Sequence, residues 1–291
     1  MELRQMRYAV AVAETRNFTR AAAQCFVAQS ALSHQIKSLE QELGVALFAR
    51  TSRRVELTAA GEAFVATARQ CLEAAERAAA DAAAAGGQIR GRLRLGVIPT
   101  AVVLDVPAVL QQFKELHPQV RVRLRAGASD QLAAEVAAGT LDAAILGLPE
   151  GEPPRGVEAR VLAHQQLVAV VPAAHELAGR SEVTLADLAL APFADFQAGT
   201  PGRAQSDQAF GAAGLERDVA YEVSSVDLML RLVARGLAVA FLPEPVAAAA
   251  AGTRTVPVAD GPRRVEYLVW SEFNPTPAAR AFLAALPITH R

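Results

Sequence analysis

Asn17-Phe-Thr-Arg-Ala-Ala-Ala-Gln-Cys-Phe-Val-Ala-Gln-Ser-Ala-Leu-Ser-His-Gln-Ile-Lys-Ser-Leu-Glu-Gln-Glu-Leu-Gly44 is the stretch on which the fold turns. Phe18 to Cys25 reads as a short helix with Thr19 near its cap. Phe26-Val-Ala28 is a turn, and a second helix runs from Gln29 to Leu43, with Gly44 at its end. Leu32, Ile36, Leu39 and Leu43 recur at helical spacing and form one apolar stripe. Gln29, Ser30, Ser33, His34 and Lys37 form the opposite face, all hydrogen-bonding groups. An apolar back with a polar N-terminal face is what a helix-turn-helix inserts into the major groove. Gln brackets adenine there, Lys reaches guanine, and Ser donates or accepts at either. Arg50-Thr-Ser-Arg-Arg-Val-Glu-Leu57 follows as a short basic excursion. It suits a β-wing whose Arg50, Arg53 and Arg54 meet phosphates and a narrow minor groove. A polar helix face alone is usually a solvated face, and a basic loop is commonplace. The order of the elements carries the inference.

Outward from this stretch, Thr58 to Ala85 is Ala-rich, contains no Pro, and is stopped by Gly86-Gly87. It reads as one long helix with Thr58 as N-cap and Glu62 in the first turn. Phe64, Ala68, Cys71, Leu72 and Ala75 recur along it as a stripe expected to pair with a second copy. After Gly91 the period changes. Strands near residues 93–98, 120–124 and 143–148 alternate with helices ended by Pro118 and Gly139. A second series runs from 167–171 through helices stopped by Gly214 and Gly236 to a strand at 265–270 and a helix at 276–285. Two successive α/β units with mainly parallel sheets are expected.

The 291 residues, 52% hydrophobic and 20% charged, exclude a disordered chain and allow more than one domain. The net charge of −1 hides a basic head, with eight Lys/Arg against five Asp/Glu in residues 1–60. Cys25 and Cys71 cannot build a disulfide framework and suit a reducing compartment. The opening Met-Glu-Leu-Arg-Gln-Met-Arg places an acid and two arginines where a secretion signal has its apolar stretch. No apolar run reaches membrane-spanning length. A soluble, cytoplasmic protein with no membrane partner is expected.

Ala28-Gln-Ser-Ala-Leu-Ser-His-Gln-Ile-Lys-Ser-Leu-Glu-Gln-Glu-Leu-Gly44, Leu47-Phe-Ala-Arg50 and Leu57-Thr-Ala-Ala-Gly61 together resemble the DNA-binding head of LysR-type transcriptional regulators. Similar residues continue at Leu95-Gly96, Gly139-Thr-Leu-Asp142, Val170-Val-Pro172, His175-Glu-Leu177, Leu232-Val-Ala-Arg-Gly-Leu237 and Leu242-Pro243. Two positions depart: His34 stands where the family often has Arg, and Ser30 where it often has Pro. The resemblance implies a winged helix-turn-helix at 1–57, a dimerising linker helix at 58–86 and an effector domain at 87–291. That domain is implied to be two-lobed, like a periplasmic solute receptor. Lobe I would take 91–160 and 266–291 and lobe II 161–265, with crossings near 161 and 265. Gln29, Ser33, His34 and Lys37 are then expected at bases, and Arg50, Arg53, Arg54 and Thr19 at the backbone.

The resemblance also implies a homodimer assembled into a homotetramer on an operator, with RNA polymerase as a further partner to be tested. A small-molecule inducer would sit between the lobes. The matching positions are Pro99, Thr100 and Ala101, then Ala128 and Ser129, then Gln197, Gly199, Thr200, Pro201 and Arg203. Thr100 and Ser129 can present hydroxyls beside helix N-termini, and Arg203 can pair with a carboxylate, so a small organic acid is expected. Each also has an ordinary use, as a helix cap or a surface arginine. A solute-binding protein of bilobed fold without a DNA role is the alternative, but it leaves the basic head unexplained. Enzyme chemistry has no support. His34, His117, His164, His175 and His290 show no metal spacing, and neither a nucleophile elbow nor a phosphate loop occurs. No cofactor and no metal are expected. Both cysteines precede residue 72, so a disulfide sensor within the effector domain has no thiols to use.

Overall fold

The computed structural model describes residues 1–50, 55–248, 250–271 and 275–286, and the chain forms two compact units, Met1–Gln88 and Ile89–Arg291. The first unit holds α1 (Leu3–Thr15), α2 (Phe18–Gln24), α3 (Gln29–Leu43), the antiparallel strands β1 (Phe48–Arg50) and β2 (Val55–Leu57), and α4 (Ala59–Ala85). Ala9, Val12, Ala21, Leu32, Ile36, Leu39, Leu47 and Phe48 make its core. Three members of the α3 stripe are buried as expected, while Leu43 stays 36% exposed where the helix outruns that core. The cap of α2 is Asn17, two residues before Thr19: the Asn17 side chain accepts from the Arg20 N–H at 2.9 Å.

Two close contacts fix the wing strands to the helices. The Glu40 carboxylate accepts the backbone N–H groups of Leu47 (2.8 Å) and Phe48 (3.1 Å). Thr58 caps α4 by accepting from the Gly61 N–H (3.0 Å), and its hydroxyl donates to the Ala46 carbonyl (2.7 Å). The first turn of α4 consequently lies on the Leu47 backbone. A β-carbon on Gly61 would stand 2.0 Å from the Leu47 carbonyl oxygen.

The stripe on α4 divides. Its N-terminal part packs on α1 within the same chain, where Val65 and Ala68 are buried and Arg69 pairs with Glu14 at 3.2 Å. Ala68 therefore belongs to the head of its own chain and not to a face left for a second copy. Cys71, Leu72 and Ala75 stay half-buried.

The second unit has two lobes. Lobe I contains β3 (Gly91–Val97), α5 (Val106–Leu116), β4 (Val120–Ala126), α6 (Ser129–Ala137), β5 (Ala143–Pro149) and β6 (Glu158–Gln166). Lobe II follows with β7 (Val168–Pro172), a 3-10 turn (Glu176–Gly179), α7 (Leu185–Leu188), β8 (Pro192–Asp195) and α8 (Pro201–Ala212). It continues with β9 (Asp218–Glu222), α9 (Val226–Ala234), β10 (Ala240–Leu242), α10 (Glu244–Ala247) and β11 (Thr253–Val256). The chain then returns to lobe I as β12 (Arg263–Trp270) and α11 (Pro277–Ala285).

The lobe I sheet has the order β4-β3-β5-β12-β6. The β3–β4 and β3–β5 pairs are parallel, whereas β12 is antiparallel to both β5 and β6. In lobe II, β7 lies antiparallel between β10 and β11, and β8 pairs parallel with β9. The expectation of mainly parallel sheets is thus corrected: β12 comes back from the other lobe and enters the first sheet in reverse. The outward crossing also moves. β6 stays paired with β12 as far as Gln166↔Arg263, so the chain leaves after 166 and not near 161, while its return at 263 lies near the expected 265. The two crossings touch, with the Leu167 N–H donating to the Pro262 carbonyl at 2.8 Å.

Gly61→Ala tests the contact that seats α4 on the wing. Because backbone and not a flexible side chain blocks the new methyl, the variant is expected to lose about 1–3 kcal/mol in chemical denaturation.

Candidate DNA-reading face and interlobe cavity

The α3 helix presents the expected face. Gln29, Ser30, His34 and Lys37 are exposed and Ser33 is half-buried, while Leu32, Ile36 and Leu39 on the other side carry no exposed surface. Gln29 Nε2 donates to Ser33 Oγ at 2.8 Å, so these two side chains are held together one helical turn apart. Thr19 lies exposed in the first turn of α2. Arg50 ends β1, opposite Val55. Arg53 and Arg54, expected at the wing tip, lie outside the described residues.

Between the lobes lies a cavity of about 420 Å³. Of the expected residues, Pro99, Thr100, Ala128, Ser129, Gln197 and Thr200 line it. Four others do not. Ala101 packs into the lobe I core. Gly199 and Pro201 border a separate outer groove. Arg203 is spent on two acids, Asp207 (2.9 Å) and Glu222 (3.1 Å). Thr200 caps α8 and donates to the Gln197 carbonyl at 2.7 Å. The apolar wall includes Ile98, Leu167, Phe196, Val223 and Phe241.

The residue that sequence reasoning missed is Arg264, the only lining residue with an ionisable side chain among the described residues. It is 2% exposed. Its Nε donates to Gln165 Oε1 (2.8 Å), Nη1 to Thr100 Oγ1 (2.7 Å), and Nη2 to both the Thr100 carbonyl (2.8 Å) and Glu266 Oε2 (3.2 Å). One N–H on Nη1 is left over, and so is the proton of the Thr100 hydroxyl. Glu266, with no exposed surface, also accepts the backbone N–H groups of Val102 and Val103, each at 3.2 Å. Burial lowers the Arg264 guanidinium to about 10 and pushes the Glu266 carboxyl upward. Every group facing Glu266 in these contacts is an N–H donor, and each favours the ionised form against that burial.

Gly147 makes the floor. Its carbonyl accepts from Ser129 Oγ (3.0 Å) in lobe I and from Gln205 Nε2 (3.1 Å) in lobe II, and its own N–H donates to Ser129 Oγ (3.0 Å). Ser129 thus spends its proton on the backbone, leaving one lone pair, and Gln205 bridges the lobes. A β-carbon at Gly147 would meet Ile98 Cδ1 at 2.8 Å and Arg264 Nη1 at 3.1 Å. The first turn of α6, which has no side-chain cap, opens into the same space.

Behind Phe196 and Val223, Asp195 closes the lobe II wall. Its carbonyl accepts the Val223 N–H (2.9 Å), and Oδ1 accepts the Phe196 N–H (2.7 Å). Arg217 Nη1 stands 2.7 Å from Asp195 Oδ2, with the guanidinium carbon 5.1 Å from the centroid of the Phe193 ring and 5.4 Å from that of Phe210. Burial raises the Asp195 carboxyl above its ordinary range.

Known proteins place this combination. A family model described as the LysR substrate binding domain matches residues 86–287, and one described as a bacterial regulatory helix-turn-helix protein of the lysR family matches residues 3–62. The chain belongs to the LysR family of transcriptional regulators. An uncharacterized HTH-type transcriptional regulator, YnfL of Escherichia coli K12, is 37% identical over 97% of this chain and 96% of its own length. The dual regulator OxyR of the same strain is 34% identical over 84% of this chain and 79% of its own. Among solved structures, full-length CbnR complexed with its target DNA superimposes with a TM-score of 0.74 at 27% identity, covering 98% of each chain. This LysR-type chain is a regulator with a helix-turn-helix and an effector-binding domain, and not an enzyme.

Glu266→Gln tests the buried pair. Removing one charge strands Arg264 in the interior, and the variant is expected to lose about 3–5 kcal/mol in denaturant titration.

Proposed function

We propose that this LysR-type regulator reads an operator with Gln29, Ser33, His34 and Lys37, grips the DNA backbone with Thr19, Arg50, Arg53 and Arg54, and answers a small organic acid bound between its lobes. Ser30 lies at the entry of the same face. The assignment divides the chain into a winged helix-turn-helix (1–57), a linker helix (58–86) and a regulatory domain (87–291). The cavity carries the effector half of the proposal. Its apolar wall suits a hydrophobic body, while the spare Arg264 N–H, the Thr100 hydroxyl and the uncapped turn of α6 offer donors to one carboxylate. Ligand filling this space works against the Gln205 bridge to Gly147, so occupancy is coupled to the angle between the lobes. A coupling of about 1–3 kcal/mol is enough for a regulatory response.

Dimers form through the part of α4 that its own chain leaves open, around Cys71, Leu72 and Ala75, and pair into tetramers. RNA polymerase is a further partner and the cytoplasm the place of action. The relatives include proteins named hydrogen peroxide-inducible genes activators. Residues 89–291 contain no cysteine, so a peroxide-driven disulfide in that unit forms no part of the proposal.

Footprinting of the full-length chain on DNA upstream of its own and neighbouring genes tests the DNA half. Ser33→Ala and His34→Ala are expected to change base preference by about 1–3 kcal/mol at the positions they read. A footprint whose sequence preference is unaltered in both variants overturns the base assignment. For the effector half, a panel of small carboxylates is screened by thermal shift on the full chain. Thr100→Val is expected to weaken the best of them by about tenfold while operator binding stays intact. Equal affinity in parent and variant removes Thr100 from the site.

A further inference from the structure

Phe26 sits in the turn between α2 and α3 with φ of +57° and with 94% of its surface exposed. Both features are unfavourable. Among the described residues the other positive-φ positions are ten glycines and Arg16, because a β-carbon is strained in the left-handed region. The backbone does need that conformation here. The Phe26 N–H donates to the Ala23 carbonyl (3.2 Å) and the Val27 N–H to the Ala22 carbonyl (3.0 Å), which closes α2 and turns the chain into α3. That closure calls for a left-handed residue but not for a ring, and Gly or Asn would satisfy it with less strain. Nor does the ring serve the core, whose aromatic members are Tyr8, Phe18, Phe48 and Phe64. A bulky ring held at a left-handed position that another residue would fill with less strain is the kind of backbone outlier that points to a functional role.

The neighbouring surface says which partner. Beyond half-buried Val27, Ala28, Gln29 and Ser30 form an exposed run that opens the polar face of α3, so Phe26 stands in the chain at the edge of that face. The apolar group that duplex DNA displays in its major groove is the thymine C5-methyl. We propose that Phe26 is a specificity-determining residue that lays its ring against a thymine methyl at the edge of the sequence read by Gln29, Ser33, His34 and Lys37. The proposal rests on α3 being the reading helix.

The test starts from a duplex selected out of a random pool by the full-length chain, in which each thymine is then replaced singly by deoxyuridine. The parent is expected to lose affinity several-fold at one thymine beside the α3 contacts. Phe26→Asn is expected to bind the unmodified duplex about tenfold more weakly and to be indifferent to deoxyuridine at that position. Its melting temperature should equal or exceed the parent's, since strain is relieved, and its salt dependence should keep the same slope, since no phosphate contact is lost. Phe26→Leu should restore part of the deoxyuridine sensitivity. Affinity unchanged in Phe26→Asn, or a weakened variant with the parent's deoxyuridine pattern, overturns the assignment while leaving α3 as the reader. A smaller sedimenting species for Phe26→Asn would give the ring to a second copy and also overturn it. Failure of the parent to enrich any sequence removes the reading helix itself, and the role of Phe26 with it.

Discussion

The effector unit depends on one buried cation. Arg264 stands at the start of β12, where the chain has just come back from lobe II, and it ties that strand to Gln165 at the end of β6 and to Thr100 beyond the end of β3. Three separate strand ends are thereby held at one point. Removing a guanidinium from water is costly, and Glu266, itself fixed by two backbone N–H groups, balances the charge. A pair of this kind adds little net stability over a well-packed apolar core. It does specify where the strands stop and leaves a donor at the cavity floor. Gly147 is small for the same reason, since a side chain there would stand against both Ile98 and Arg264.

Lobe II carries a parallel arrangement in Asp195 and Arg217. The arginine lies against two aromatic rings, which replace part of its hydration. The acid holds the backbone of Phe196 and Val223, the two apolar residues turned toward the cavity. Each lobe thus shapes its side of the cavity with a buried ion pair set just behind or within the wall. One joint between the lobes is Gly147, whose carbonyl is shared by Ser129 and Gln205. A shared acceptor is a weak joint compared with either core.

The DNA-binding unit answers a different demand. The polar face of α3 gains nothing from the core, so its position comes from the apolar back of the helix and from backbone contacts around the wing. Glu40 holds Leu47 and Phe48, Thr58 holds Ala46, and Gly61 lets α4 lie on the Leu47 carbonyl. With those contacts made, the side chains of the polar α3 face carry little structural duty beyond the Gln29–Ser33 hydrogen bond.

The helix-turn-helix, the wing strands and the long helix were legible in residues 17–85, because period, caps and glycine stops act over a few residues. Thr58 capped α4 where its sequence said it would. Position in space was not legible. Arg264 lies in the polar run Gly261-Pro-Arg-Arg264 and looks like surface, yet its main partner is Thr100, 164 residues away. Arg203 looked like a ligand group until the fold set Asp207 and Glu222 beside it. Ala68 belonged to an interface stripe by spacing alone until α1 covered it within its own chain. β6 gave no alternation because it is an edge strand with mostly exposed residues, and its length moved the outward crossing. Local physics determines which elements form, since helix and turn free energies depend on neighbours in the chain. Which polar groups are consumed and which remain for a ligand depends on contacts between distant segments, and only the tertiary structure decides that.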